Sequence, residues 1–514
     1  MGKIVLFFIG LTISTATAQD IEFEDVNFKS RLIQLGFDLN NDGNVQQSEA
    51  LQATALYISN SGITSLQGIE YFRNIQWLDC SGNSLTDLSV DGFPILRYIE
   101  CDYNELTNLN ISNCGALERI QCSDNNLTQL NFGNLPSMRS LSCQYNNLTS
   151  LNTATMPNLT ELQCSSNLIT HLNVNESTHL KSLSFEHNRV TTIDLSNLHE
   201  MTWLVCYYNQ LTSLNLSGLT EVQSVQCMDN QIADLNLSGL SNLTLLKCQH
   251  NNLTSLDLTG LSALVFLECG ENNITSLDLQ GLDNLIQILC EFNEITNLYH
   301  LDALNRLSNL SCGNNHLAEI ELINKPDLWQ VRCDSNNLTS LILTSNPVLS
   351  SISCENNQLV SIDFSTLSNL QTLYFSDNSQ LQHINIKNGS NENLSFWHNT
   401  NLQTFCADAE QLPNIQQLLD FYGNAAVTAT SDCNLSTDSF NSKMSYYPNP
   451  VREKLFFENA PANIQSVQAY DLLGKKVIDT IFEDPLDCSK LDPGIYTFQL
   501  IADERIYNIK IVKL

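Results

Sequence analysis

An apolar–polar alternation that returns at a fixed interval governs most of the chain. Leu78-Asp79-Cys80-Ser81-Gly82-Asn83-Ser84-Leu85 comes back as Ile99-Glu100-Cys101-Asp102-Tyr103-Asn104-Glu105-Leu106, then again every 21 residues. The asparagine column runs without a gap through Asn83, Asn104, Asn125, Asn146, Asn167, Asn188, Asn209, Asn230, Asn251, Asn272, Asn293, Asn315, Asn336, Asn357, Asn378 and Asn399, with one interval of 22 residues at Asn293–Asn315. Two apolar positions separated by one polar residue predict a short strand with the Leu and Cys side chains pointing inward. The Asn follows as the chain leaves the strand. Its buried amide is expected to bond the backbone of its own and adjacent turns, because an unpaired one costs about 1–3 kcal/mol. The second half of each unit, as in Leu256-Asp257-Leu258-Thr259-Gly260-Leu261, carries the chain back along the opposite side. One unit cannot bury its inner face alone, so the period predicts stacked coils, a solenoid. Roughly seventeen turns at about 4.8 Å per strand give an arc of about 80 Å with a long concave sheet.

The pattern L-x-C-x-x-N-x-L resembles a leucine-rich repeat with Cys in place of one Leu, over about residues 56–405. The resemblance implies an α/β-type solenoid whose parallel sheet forms a horseshoe or arc. The repeats are similar to those of bacterial internalin-like proteins, which implies binding through the concave face. Thirteen of the 17 cysteines fall in the ladder. They are expected to be core thiols and not a metal or redox site, since Phe185, Phe375 and Phe396 take the same column and free Cys behaves as a small hydrophobe. In-register strands also aim neighbouring Cβ atoms side by side, which suits disulfide geometry poorly. Cys114 and Cys488 receive no assignment.

The ends differ from the repeat. Residues 1–18 have the form of a secretory signal, with Lys3, an apolar run from Ile4 to Ile13 and Ala16-Thr17-Ala18 before the cleavage point. Residues 19–55 form an N-terminal cap, with helical spacing at Val26, Phe28, Leu32 and Leu35. The stretch from Asp38 to Glu49 matches every fixed position of an EF-hand calcium loop. Asp38, Asn40 and Asp42 offer oxygens, Asn44 its carbonyl, Gln46 a contact through water and Glu49 a bidentate carboxylate. Weak, structural Ca²⁺ binding, with a Kd near ~10⁻⁴ M, is the expectation. Residues 406–433 form a C-terminal cap around a helix from Leu412 to Tyr422, with Cys406 and Cys433 expected to pair in an exported protein.

Residues 434–442 form a Ser/Asn-rich linker, and residues 443–514 a small all-β sandwich with strands around 455–457, 467–470, 496–500 and 506–512. This tail resembles the C-terminal sorting domain of the type IX secretion system of Bacteroidetes. The resemblance rests on Tyr447-Pro448-Asn449-Pro450, the Asp471-Leu472-Leu473-Gly474-Lys475 turn, Gly494-Ile495-Tyr496 and the basic last strand Lys510-Ile511-Val512-Lys513-Leu514. It implies export across the outer membrane of a Gram-negative bacterium by that machinery, removal of the tail, and release or surface attachment.

Composition narrows the function. A net charge of −32 disfavours nucleic acid and anionic lipid as partners, and after the signal no apolar run is long enough to span a bilayer. The Asn-x-Ser/Thr triplets follow from the repeat itself and are not read as glycosylation sites. No catalytic motif is found, and the nine His residues are read as unrelated in phase. One turn stands out: Trp203, Val205, Tyr207 and Tyr208 flank inward Leu204 and Cys206, and adjacent turns add Glu186, His187 and Met228, with Phe266, Leu289 and Phe292 further on. Exposed aromatics beside polar groups make binding hot spots. A monomeric, non-enzymatic recognition protein is expected, binding a protein partner or mediating adhesion; the alternative is a glycan-binding accessory protein for polysaccharide capture.

Overall fold

The computed structural model describes residues 19–433, 445–447, 451–458, 464–470, 475–502 and 505–513. The signal, the linker, Pro448–Pro450 and most of the 471–475 turn lie outside them. The chain divides into two compact units, residues 1–431 and 432–514.

In the first unit, seventeen strands of three residues make one parallel sheet, from Ala55–Tyr57 to Asn393–Ser395. Each coil lies in register on the last: Leu56 pairs with Leu78, Leu78 with Ile99, Ile99 with Ile120, and so on to Leu373 with Leu394. Apart from half-buried Leu394, these central residues are buried, as is every Cys of the ladder. All the ladder thiols are free. Burial, the dominant influence, pushes them far above the ordinary thiol range, Cys227 to about 12. A protonated, enclosed thiol is inert, so the column is a core element. Cys114 and Cys488 are buried free thiols as well.

The asparagine amide joins consecutive coils. Asn209 Nδ2 donates to Phe185 O of the preceding coil at 3.0 Å and to Cys206 O of its own at 3.2 Å, while its Oδ1 accepts from Val190 N at 2.9 Å. The same set recurs from Asn104 to Asn378. A 21-residue coil has little room for a helical return. The chain instead comes back through turns and short parallel strands in pairs, such as Asp87–Ser89 with Asn108–Asn110 and Ser213–Asn215 with Asp234–Asn236.

Helices sit at the two ends. At the N-terminal end Val26–Gln34 buries Phe28 and Leu32. Asp25 caps it, accepting from Asn27 N at 2.7 Å and Phe28 N at 3.0 Å. Its other oxygen accepts from Thr64 N and Thr64 Oγ1, at 2.6 and 2.7 Å, on the first coil. At the C-terminal end Leu412–Phe421 buries Ile415 and Leu419. There Phe375 and Phe396 replace thiols and stack with centroids 5.4 Å apart, and Phe396 also meets Phe405 and Tyr422 at 5.2 and 5.0 Å. Cys406, which ends the strand Thr404–Cys406, is disulfide-bonded, as is Cys433.

The named strands of the second unit pair antiparallel, and one isolated parallel bridge joins Val451 to Lys513. Four strands run in the spatial order Lys476–Ile481, Ile464–Tyr470, Gly494–Ala502, Arg505–Lys513, and three shorter ones, Ser445–Tyr447, Lys454–Glu458 and Leu486–Asp487, form a second sheet. Val467, Phe498, Leu500 and Ile511 lie in its core.

Candidate functional site

On each strand the residues beside the central Leu point away from the core, so seventeen short strands lay out columns of outward side chains. Two further columns follow the Cys and precede the Asn. The second of these has a property the repeat pattern does not advertise. From Asn60 to His398 the residue before the asparagine position sits in the left-handed region at every coil, with φ between 50° and 58°, or 63° at Gly82. Glycine takes this conformation without strain, yet only Gly82 uses it. Tyr103, Tyr145, His187, Tyr208, His250 and Phe292 hold rings there. Tyr103 is 67% exposed, Tyr145 60%, Tyr208 50% and Phe292 56%.

This column also corrects the expectation that the histidines are unrelated in phase. His187 and His250 share it three periods apart, and His398 joins them once the 22-residue interval is counted. His250 Nε2 contacts the Glu271 carboxylate on the next coil, and its Nδ1 lies 3.7 Å from Asp229 on the previous one. His398 meets Asp377 at 2.9 Å.

The aromatic turn is assembled as a cluster. His187 stacks on Tyr208 at 4.6 Å and meets Tyr207 edge-on at 5.4 Å, with the two tyrosine rings 5.7 Å apart. Glu186 accepts from Ser184 Oγ at 2.6 Å. Burial and then the Glu186 carboxylate raise the Tyr207 hydroxyl above its usual range. Trp203 is exposed and Met228 half-buried. Val205 is buried, contrary to its expected place on the open surface: its short side chain has the much longer Trp203 and Tyr207 two residues to either side. Ser224, in register with Trp203 and Leu245, is buried with its Oγ unpartnered.

Charge in the two columns beyond the strands is one-sided, while the strands themselves carry Arg119, Lys247 and Arg332 at outward positions. Neither the column after Cys nor the column before Asn contains Lys or Arg, while they hold Asp102, Asp124, Glu186, Asp229, Glu271 and Glu291 among others. Where carboxylates crowd, they titrate high: burial and then Asp79 and Asp102 raise Glu100, and Asp102 is raised by burial with Asp124 beside it. Further along, Gly270 opens a cleft of about 220 Å³ between coils, lined by Glu268, Glu271, Leu289, Glu291 and Phe292.

The 38–49 loop closes through its own hydrogen bonds. Asp38 accepts from Asp42 N and Gly43 N, and Asp42 from Asn44 N. Glu49 accepts from Leu39 N and Gln46 N at 2.9 and 2.8 Å. The Asn40 and Gln46 amides donate to Asp42. Among the described residues no three His, Cys, Asp or Glu side chains stand close enough together to hold a metal ion. The donor set still suits calcium in kind, being all oxygen with three carboxylates. Rotating the two amides would present oxygens where nitrogens now face Asp42.

Comparison with known proteins agrees with this architecture. Residues 445–514 match the family described as the secretion system C-terminal sorting domain. The functional domain of InlJ from Listeria monocytogenes, a structure described as including a cysteine ladder, superposes with a TM-score of 0.59 at 20% identity, covering 97% of this chain and 100% of that one. A leucine-rich repeat protein of Leptospira interrogans gives 0.52 at 20% identity, covering 74% and 97%. No curated protein matches the sequence. The molecule is therefore a leucine-rich repeat solenoid carrying a type IX sorting domain. That domain directs it to secretion or to the outer surface, and no helix among the described residues is long and apolar enough to cross a membrane.

Proposed function

We propose that this is an exported recognition protein that binds a protein partner through the outward face of its long sheet. The supporting observation is the cluster of Glu186, His187, Trp203, Tyr207, Tyr208 and Met228, where rings from adjacent coils are already in contact before any partner arrives. Pre-packed aromatics lose little side-chain freedom on binding. The Trp203→Ala, Tyr207→Ala double variant of the full chain, tested against surface proteins that the wild type captures, should lose at least tenfold in affinity; unchanged capture would retire this face. Sugar stacking on the same rings is the second reading, and a neutral-glycan array reads it directly. The 38–49 loop, with Asp38, Asn40, Asp42, Asn44, Gln46 and Glu49, would in this reading take Ca²⁺ as a brace for the N-terminal cap.

A further inference from the structure

The cleft at Gly270 has a composition that selects its guest. Every coil but two places a side chain in the column after Cys; Gly270 and Gly313 do not. A Cβ at Gly270 would stand 3.0 Å from the Glu291 carbonyl oxygen, so the two coils approach too closely there for anything larger without a shift. The missing side chain leaves the cleft. One wall is the Phe292 ring, 56% exposed and held by the left-handed backbone, with Leu289 beside it. Glu271, on the neighbouring coil, has the same left-handed backbone.

The charged lining consists of carboxylates. Glu268 is engaged by Lys247 Nζ at 3.0 Å and by Gln249 Nε2 at 3.2 Å, and Glu271 by His250. The Glu291 carboxylate has no ion-pair or hydrogen-bond partner among the described residues. Gln249, which also lines the cleft, has a buried Oε1 without a donor. An aromatic face beside an uncommitted carboxylate, in a chain of net charge −32, is complementary to a planar cation. A guanidinium stacks on a ring while forking to a carboxylate, which an ammonium does less well.

We propose that this cleft receives an arginine side chain of the partner, with the guanidinium stacked on Phe292 and paired to Glu291. The inference rests on the reading of the sheet face as a protein-binding surface and names the partner's chemistry at one point of it. The test is a ligand-observed NMR titration of the full chain with N-acetyl-arginine amide, with the lysine and the neutral citrulline analogues in parallel. Arginine is expected to saturate one site and to bind at least tenfold more tightly than citrulline. Glu291→Gln and Phe292→Ala should each weaken it about tenfold, with unchanged far-ultraviolet circular dichroism. Glu355→Gln, which makes the same charge change in the same column, should alter affinity less than twofold.

Equal losses from Glu291→Gln and Glu355→Gln would mean diffuse attraction and overturn the site. So would citrulline binding as well as arginine, or no saturable binding at all. Should the arginine site fail while the Trp203/Tyr207 variant still loses its partner, this inference alone falls; failure of both removes the reading beneath it.

Discussion

The two ends of the solenoid close the same interior by different physics. At the N-terminal end one carboxylate ties the cap to the first coil: Asp25 holds two amides of its own helix and the amide and hydroxyl of Thr64. At the C-terminal end rings do the work: Phe375, Phe396, Phe405 and Tyr422 contact one another where the coils meet the last helix. Thiols suffice between two like coils. A cap of different cross-section leaves a gap that needs larger side chains or a directed polar clamp. One closure should therefore answer to proton concentration and the other should not.

Truncation of the aromatic plug should have the largest effect. Phe396→Ala removes a fully buried ring and should cost about 3–5 kcal/mol, seen in denaturant unfolding as early loss of the C-terminal coils, with a deficit constant between pH 3 and pH 7. Asp25→Asn keeps one oxygen for the helix cap but turns an amide donor toward the other set of donors. It should cost about 1–3 kcal/mol at neutral pH, the scale of a buried polar group left unpaired, and here the deficit should be pH-dependent. Burial raises the Asp25 carboxyl, but the Thr64 amide and hydroxyl, with the Phe28 and Asn27 amides, outweigh it and hold the group below its ordinary value. A depressed native value gives stability that is complete above the unfolded carboxylate range and is lost as pH falls through the native one. The gap between wild type and Asp25→Asn should accordingly shrink below about pH 4. A gap that persists there would undo the contrast between the two ends.

The smallest effect concerns the loop beside that cap. With a Kd near ~10⁻⁴ M, 1 mM Ca²⁺ should stabilise by about 1.4 kcal/mol, read as a rise in melting temperature that Glu49→Gln abolishes. An unchanged melting temperature would leave the loop as an amide-closed turn.

The sequence showed the repeating interior plainly, because the Leu, Cys and Asn columns obey one geometric demand at every coil. Asn amides bridging two turns and protonated thiols at Cys80 through Cys354 follow from the period alone. The outward face was legible only in part. Its aromatic turn stands out by composition, but the column of rings at Tyr103, Tyr145, Tyr208 and Phe292 depends on a backbone conformation that no propensity for Tyr or Phe suggests; its local signs were Gly82 and the Asn and Asp residues of the same column, such as Asp124, Asp229 and Asn314. The burial of Val205 and the opening at Gly270 arise from neighbours two residues away or one coil away, which a reading along the chain does not bring together. In the tail, the strand Lys476–Ile481 was missed because its Lys, Asp and Thr dilute the apolar alternation.

The asparagine bridges also have a direction. The Cys80 carbonyl and the Leu85 amide are completed by Asn104, a residue of the following coil, and the relation repeats along the stack. Each turn is thus finished by the one synthesised after it. A chain emerging from a pore amino end first would zip shut in its order of arrival, one coil behind its leading edge, and the aromatic plug at the far end would be the stroke that locks the zipper.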